Sequence, residues 1–357
     1  MFNRILVPLD GSTLAERALP HAEQFARIFG SSIVLLLVLD PTTYHENPNS
    51  VDPLSWQIRK TEADMYMSRV ATRLRESLRD SLPLFREGDE KKVRVEYSIL
   101  EGKTAENIVN FAHTENIDLL IMSTHGTGGL SRWNISSVTQ KVLNLIYLPV
   151  LIVRAFSPVD TEETRVRYHR ILLPIDGSRR AEYALSAGIA LAHGEMSPVI
   201  EPEAAPFPAF QTRTNIYSHP TKLILAIVIK PPELPILEPH PVEIDQLTEQ
   251  LMGVSRQAAN NYLNAMRERL PVDCEICLVE NNSVTSAIQE LANQRDDIDL
   301  VVLSAHGYTG QSTWPYGSVA HNYIEYGTKS VLVIQDIHGS QIQPTAAEIA
   351  AKRFGGR

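Results

Sequence analysis

Short runs of Val, Ile and Leu punctuate the chain, and between them the apolar positions change period. In the first half the runs are "RILVPL" (4–9), "SIVLLLVL" (32–39), "VRVEYSIL" (93–100), "DLLIMS" (118–123) and "PVLIVR" (149–154). They are nearly continuous rather than alternating, as parallel strands covered on both faces are. Between them Ala18, Ala22, Phe25 and Phe29 recur at helical spacing, as do Met67, Ala71, Leu74 and Leu78, then Ile108 and Ala112. Strand and helix in alternation predict a doubly wound α/β sheet of five parallel strands.

The pattern then repeats. "RILVPLDGS" at 4–12 returns as "RILLPIDGS" at 170–178, "NIDLLIMSTHG" at 116–126 as "DIDLVVLSAHG" at 297–307, and "LPVLIVR" at 148–154 as "KSVLVIQ" at 329–335. Three matches in the same order indicate a duplicated domain. The expected division is a first domain at 1–155, a linker at 156–168 and a second domain at 169–336, each of a size that sustains its own core. In the second domain Leu247, Leu251, Val254 and Ala258 mark the long helix. A Pro-rich insertion near 194–222 has no clear period and reads as an irregular excursion, a lid or a contact surface. The tail, 337–357, has one short amphipathic stretch and no core signal.

Composition narrows the function classes. Of 357 residues, 43% are hydrophobic and 21% charged, ordinary for a globular chain, and the net charge of -9 lacks the clustered cations that non-specific nucleic-acid binding requires. The N-terminal apolar run is interrupted by Asp10 too early for a signal peptide, and no apolar run approaches membrane-span length, so a cytoplasmic protein with no membrane or nucleic-acid partner is expected. The two cysteines, Cys274 and Cys277, stand in "DCEICLV", where strand alternation sends them to opposite faces; packing explains them better than redox or zinc chemistry.

Candidate chemistry lies in two loops, "STHGTGGLSRWNISSV" (123–138) and "SAHGYTGQSTWPYGSV" (304–319), which align without a gap. Each follows the fourth strand of its unit and leads into a helix. In an open α/β sheet that end of the strands, at the switch point between strands one and four, is where ligands bind, and Asp10 and Asp176 follow strand one. A glycine-rich turn before a helix presents unpaired N–H groups and a positive dipole end to an anion. The loops are neither Walker nor dinucleotide-fold fingerprints. Ser12 and Ser178 read as N-caps. His125 and His306 have no nucleophile or orienting acid at a recognisable spacing, so a structural role is expected, and Trp133 and Trp314 read as packing residues. Gly102 and Lys103 read as an ordinary helix start.

These loops resemble those of the universal stress protein family, in a tandem form covering nearly all of residues 1–335. ATP-binding members of that family carry G-x-x-G, nine residues, then G followed by Ser or Thr. Here Ser304-x-x-Gly307 is followed after nine residues by Gly317-Ser318, and Ser123-x-x-Gly126 by Ser136-Ser137; both loops depart at the first glycine and the first departs again at the last. The resemblance implies two adenine nucleotide alpha hydrolase-like, Rossmann-like domains packed as a pseudo-dimer through their last strands, with a further homodimer. It implies that Asp10 and Asp176 contact adenosine, and that Val38 and Val228 hold the base through their backbone. Pro8, Met122, Ser123, Gly126, Gly129, Ser136, Ser137 and Val138 complete the first pocket by the same resemblance. Pro174, Leu303, Ser304, Gly307, Gly310, Gly317, Ser318 and Val319 complete the second.

Replacing a glycine that needs positive φ or a close phosphate costs about 1 kcal/mol or more. Ser136 therefore counts against the first pocket, while Arg132 offers it a phosphate partner that 304–318 lacks; the second pocket ranks narrowly ahead. The leading expectation is a stress-response regulator or signalling module that binds ATP, ADP or AMP, with Mg²⁺ offsetting phosphate charge and no catalytic residue or protein metal site assigned. Any hydrolysis should be slow, since no Walker lysine or arginine finger is evident. The alternatives are a nucleotide-free scaffold with degenerate pockets and an adenylating or ATP-hydrolysing enzyme.

Overall fold

A computed structural model describes residues 1–41, 52–81, 94–126, 135–156, 166–193, 221–233, 242–308 and 315–336. In the first unit β1 (Arg4–Leu9), β2 (Ser32–Leu39), β3 (Val95–Glu101), β4 (Leu119–Ser123) and β5 (Val150–Val153) alternate with helices. These are α1 (Thr13–Glu16), α2 (Ala18–Phe29), α3 (Pro53–Ser81), α4 (Thr104–Thr114) and α5 (Ser137–Leu143). The second unit repeats the plan with β6 (Arg170–Pro174), α6 (Tyr183–His193), β7 (Lys222–Ile229), α7 (Val242–Arg269), β8 (Cys274–Glu280), α8 (Val284–Gln294), β9 (Leu300–Ser304), α9 (Ser318–Tyr326) and β10 (Ser330–Ile334).

The sequence predicts two five-stranded sheets; the strands form one ten-stranded sheet in the order β3-β2-β1-β4-β5-β10-β9-β6-β7-β8. Every pairing within a unit is parallel, and the two halves meet where β10 pairs antiparallel with β5, Leu332 opposite Leu151. Apolar edge strands must be paired or covered, and each of these inner edges satisfies the other. In both units β1 or its counterpart β6 lies between the second and fourth strands, so connections leave on opposite faces there. One buried layer packs α2, α3, α6 and α7 on the sheet, and the other packs α4, α5, α8 and α9.

Details of the repeat have physical causes. Asp118 accepts from the amides of Asn3 and Arg4 at 2.8 and 3.0 Å, and Asp299 from those of His169 and Arg170 at 2.6 and 3.0 Å, so each repeated "IDL" aspartate pins the start of its first strand. Tyr66 donates to Glu16 (3.0 Å) and Tyr262 to Glu182 (2.8 Å), tying each long helix to the turn after the first strand. Cys274 and Cys277 pack on opposite layers, as alternation predicts.

The long helix of the second unit forms as expected, with another of its faces on the sheet. Met252, Ala259, Leu263 and Met266 of α7 face the sheet, while Leu247, Leu251 and Val254 are 60%, 52% and 65% exposed. Each long helix begins with an overhang that buries little: residues 53–62 precede Ala63, the first fully buried side chain of α3, with Trp56 half-buried on the core and donating to Glu101 at 3.0 Å, and 242–251 precede Met252. At 1.5 Å per residue each overhang is about 15 Å. The tail lies outside the described residues, and so does the insertion between α6 and β7 except for 221–222.

Candidate functional site

The "DGS" turn builds the first half of the site. Gly11 adopts φ 85° and Gly177 φ 77°, a left-handed conformation that only glycine takes without strain. This turns the chain so that Asp10 Oδ1 accepts from the amide and hydroxyl of Ser12 at 3.0 and 2.6 Å, while Ser12 Oγ caps α1 by accepting from Ala15 N at 3.0 Å. Asp176 and Ser178 repeat the arrangement, at 2.9 Å to the Ser178 amide and 3.1 Å from Ala181 N to Ser178 Oγ. Ser12 therefore caps a helix as expected, whereas Ser178 closes a turn that precedes α6 rather than capping it, and one carboxylate oxygen of each aspartate finishes a turn.

Gly126 and Gly307 bring the other half. A Cβ on Gly126 would collide with Asp10 Oδ2 and lie 2.9 Å from its Cγ, and a Cβ on Gly307 would collide with Asp176 Oδ2. Each glycine thus lets the fourth-strand loop lie directly against the first-strand aspartate. Beyond the loop, Ser136 N donates to Thr124 O at 2.8 Å and Gly317 N to Ala305 O at 2.7 Å, fixing the approach to α5 and α9 alike.

Ser136 does not break this backbone. It stands at φ -64° and Gly317 at φ -70°, conformations open to any residue, so no positive-φ penalty separates the two loops. What separates them is the hydroxyl: Ser136 Oγ accepts from Thr139 N at 3.1 Å and takes that amide for capping. A Cβ on Gly317 would sit 3.2 Å from Ala305 O, a tight but local contact.

In the first unit these pieces enclose a crevice of about 880 Å³, within the size range of small-molecule sites. Of the expected residues it is lined by Pro8, Asp10, Val38, Met122, Ser123, Gly126, Ser136, Ser137 and Val138. Gly129, Arg132, Trp133, Gly310 and Trp314 lie outside the described residues. The first half of α3 adds Arg59, Glu62, Ala63 and Tyr66, and Thr104 at the start of α4 and Thr139 also line it. Arg59, Glu62 and Tyr66 share one helical face, with Arg59 and Glu62 on the overhang.

The second unit places Pro174, Asp176, Val228, Leu303, Ser304, Gly307, Gly317, Ser318 and Val319 at the matching ends of β6, β7, β9 and the start of α9. Asp176 Oδ2 accepts from Tyr308 N at 2.7 Å, so the loop's own amide meets the aspartate. His306 Nδ1 is 2.6 Å from Asp336 Oδ1, both side chains fully buried, and Arg180 Nε stands 2.9 Å from Asp336 Oδ2. An orienting acid for His306 thus exists, contrary to expectation; it lies thirty residues downstream, past β10, where no spacing rule looks. His125 has instead Thr124 Oγ1 at 2.9 Å and the Phe156 ring at 5.1 Å, because Ala155 occupies the position matching Asp336.

Sheet order, crevice and duplicated "DGS" turns define a tandem, doubly wound α/β protein with its candidate sites at the strand switch points. The sequence profile of the universal stress protein family matches residues 1–154 and 218–335, and the chain belongs to that family. Universal stress protein MJ0531 of Methanocaldococcus jannaschii is 28% identical over 155 residues, 43% of this chain and 83% of the relative. YxiE of Bacillus subtilis is likewise 28% identical, over 43% of this chain and all of the relative. Among solved structures, a universal stress protein from Archaeoglobus fulgidus aligns over 94% of this chain and 99% of its own with a TM-score of 0.51 at 15% identity. The functionally unknown PA1789 from Pseudomonas aeruginosa PAO1 aligns over 93% and 92% with a TM-score of 0.56 at 17% identity. These two structural likenesses speak to the fold. Among the described residues no helix is long and apolar enough to cross a membrane, and no three His, Cys, Asp or Glu side chains group as metal ligands.

Proposed function

We propose that the chain binds an adenine nucleotide in the first unit's crevice and acts as a stress-response regulator or signalling module. The observation that supports this reading is the convergence of Asp10, Val38, Gly126 and the Ser136–Thr139 turn around one crevice of nucleotide-compatible size. These are the positions that family resemblance assigns to adenosine, base and phosphates. The first-turn amides of Ser137 and Val138 have no acceptor within their helix, and Arg59 brings a guanidinium to the same space. Mg²⁺ fits as a passenger on the phosphates, since the described residues offer no ligand cluster of their own. The described crevice-lining residues include no Walker-type lysine, which favours a binding reading over rapid hydrolysis.

The first unit thereby takes precedence over the second, the reverse of the order that counting glycines suggests. A scaffold role suits the second unit, where 304–318 carries no Lys or Arg and His306 is held by Asp336. Titration calorimetry with Mg-ATP tests the division. One nucleotide per chain is expected. Gly126→Ala, which pushes the Asp10 carboxylate aside while leaving the backbone in place, should weaken binding about tenfold or more. Gly307→Ala should leave the affinity unchanged. Purified protein that releases no adenine nucleotide on denaturation and gives no heat with Mg-ATP overturns the proposal.

A further inference from the structure

Along α7 the apolar period and the burial disagree, and the disagreement has a form. Leu247, Leu251, Val254 and Ala258 are all exposed, yet they advance in steps of four, three and four residues. That is the narrow seam of one helix meeting another, not the broader stripe by which a helix lies on a sheet. The positions flanking the seam, Thr248, Gln250, Ser255 and Gln257, carry no charge. The nearby charges turn away from it: Arg256 is engaged with Glu249 at 2.8 Å and Glu280 at 2.5 Å on its own chain. A second copy of the same helix therefore meets no row of like charge.

Two further observations favour a second copy as the occupant. The edges of β5 and β10 are already spent on each other within the chain, so two chains have to meet on another surface. The seam also begins in 242–251, the part of α7 that precedes its first buried side chain, so its own chain leaves Leu247 and Leu251 exposed. The matching helix of the first unit lacks the device. Leu54, Ile58 and Met65 are exposed there, but Thr61 interrupts the spacing and Glu62 and Asp64 flank it.

We propose that two copies of the chain associate through their α7 helices across a twofold axis, with Leu251 near its centre. The contact is isologous, the same residues serving both sides. It is independent of nucleotide binding. Sedimentation velocity of the full chain at about 100 µM should show a dimer, a concentration at which even a modest helix pair is populated. Leu251→Asp, at an exposed site and with unchanged circular dichroism, should raise the dimer dissociation constant by about 100-fold or more. Ile58→Asp should leave the dimer intact. A wild-type monomer at that concentration, a dimer that survives Leu251→Asp, or equal loss in Ile58→Asp overturns the proposal. So does a Leu251→Cys chain whose new thiol is shielded from reagent in the monomer, which would assign the face to another segment of the same molecule.

Discussion

Replacing Arg154 with methionine should lower the free energy of unfolding by about 3–5 kcal/mol, the loss expected when three charge-assisted hydrogen bonds to buried carbonyls are removed. Arg154 follows β5 in the first unit, but its guanidinium serves the second. It donates to Tyr323 O at 2.6 Å, Ile324 O at 2.8 Å and Lys329 O at 3.1 Å. Two of those carbonyls belong to the last turn of α9, where the dipole favours a cation; Tyr323 O also accepts from Gly327 N at 2.8 Å. Burial pulls the guanidinium down to about 10, which still leaves it charged at neutral pH. Methionine keeps much of the stem's volume and none of the donors, so three charge-assisted bonds are lost in a buried setting. Nothing in the other unit compensates: the matching residue, Gln335, donates to Pro315 O of its own unit at 2.9 Å. Urea unfolding measures the difference, and Arg154→Lys should recover only part of it, because an ammonium lacks the planar fork that reaches three acceptors. A methionine variant within about 1 kcal/mol of wild type would show that the bonds had merely been exchanged for solvent.

Acid should weaken the protein through His21. Its Nδ1 lies 2.6 Å from the hydroxyl of Tyr168, joining α2 of the first unit to the start of the second. Burial pushes the imidazole down to about 4 from an ordinary value of 6.5, and the same burial holds the Tyr168 phenol above its usual range. The folded state thus keeps His21 neutral where the unfolded chain protonates it. The unfolded state binds more protons between those two values, so stability is whole above about pH 6.5 and falls as pH drops toward 4. At 1.36 kcal/mol per unit the full loss is about 3 kcal/mol. His21→Gln retains a hydrogen-bonding group and cannot titrate there. Subtracting its stability curve from that of the wild type should leave a slope confined to this window; parallel curves would refute the assignment.

The fold was legible because duplication printed its signals twice. Five apolar runs, the "DGS" turns and the "HG" loops recur in order, and each has a visible physical role as a strand, a left-handed glycine turn or a close approach to an aspartate. Most of the first crevice followed from the same motifs. The long helix of the second unit defeats the pattern because α7 carries two apolar stripes of similar period. Periodicity shows that a stripe exists; it does not say whether Leu251 or Met252 meets the sheet. Ser136 misleads for a different reason, since glycine in a motif suggests a special φ and here the backbone is ordinary at -64°. Arg59, Asp336 and Arg154 stay hidden because each acts on residues far along the chain, through an overhang, a strand end and a helix end that become neighbours only after folding.

The seam between β5 and β10 has an evolutionary corollary. An assembly of two identical subunits must accept every substitution twice, once on each side of its axis. Here the halves share a backbone, so each can change alone. Ala155 and Leu14 stand where the second unit has Asp336 and Arg180, and Arg154 reaches across where Gln335 does not. Two halves on one chain are released from mirrored mutation, so the surroundings of each first-strand aspartate are free to diverge.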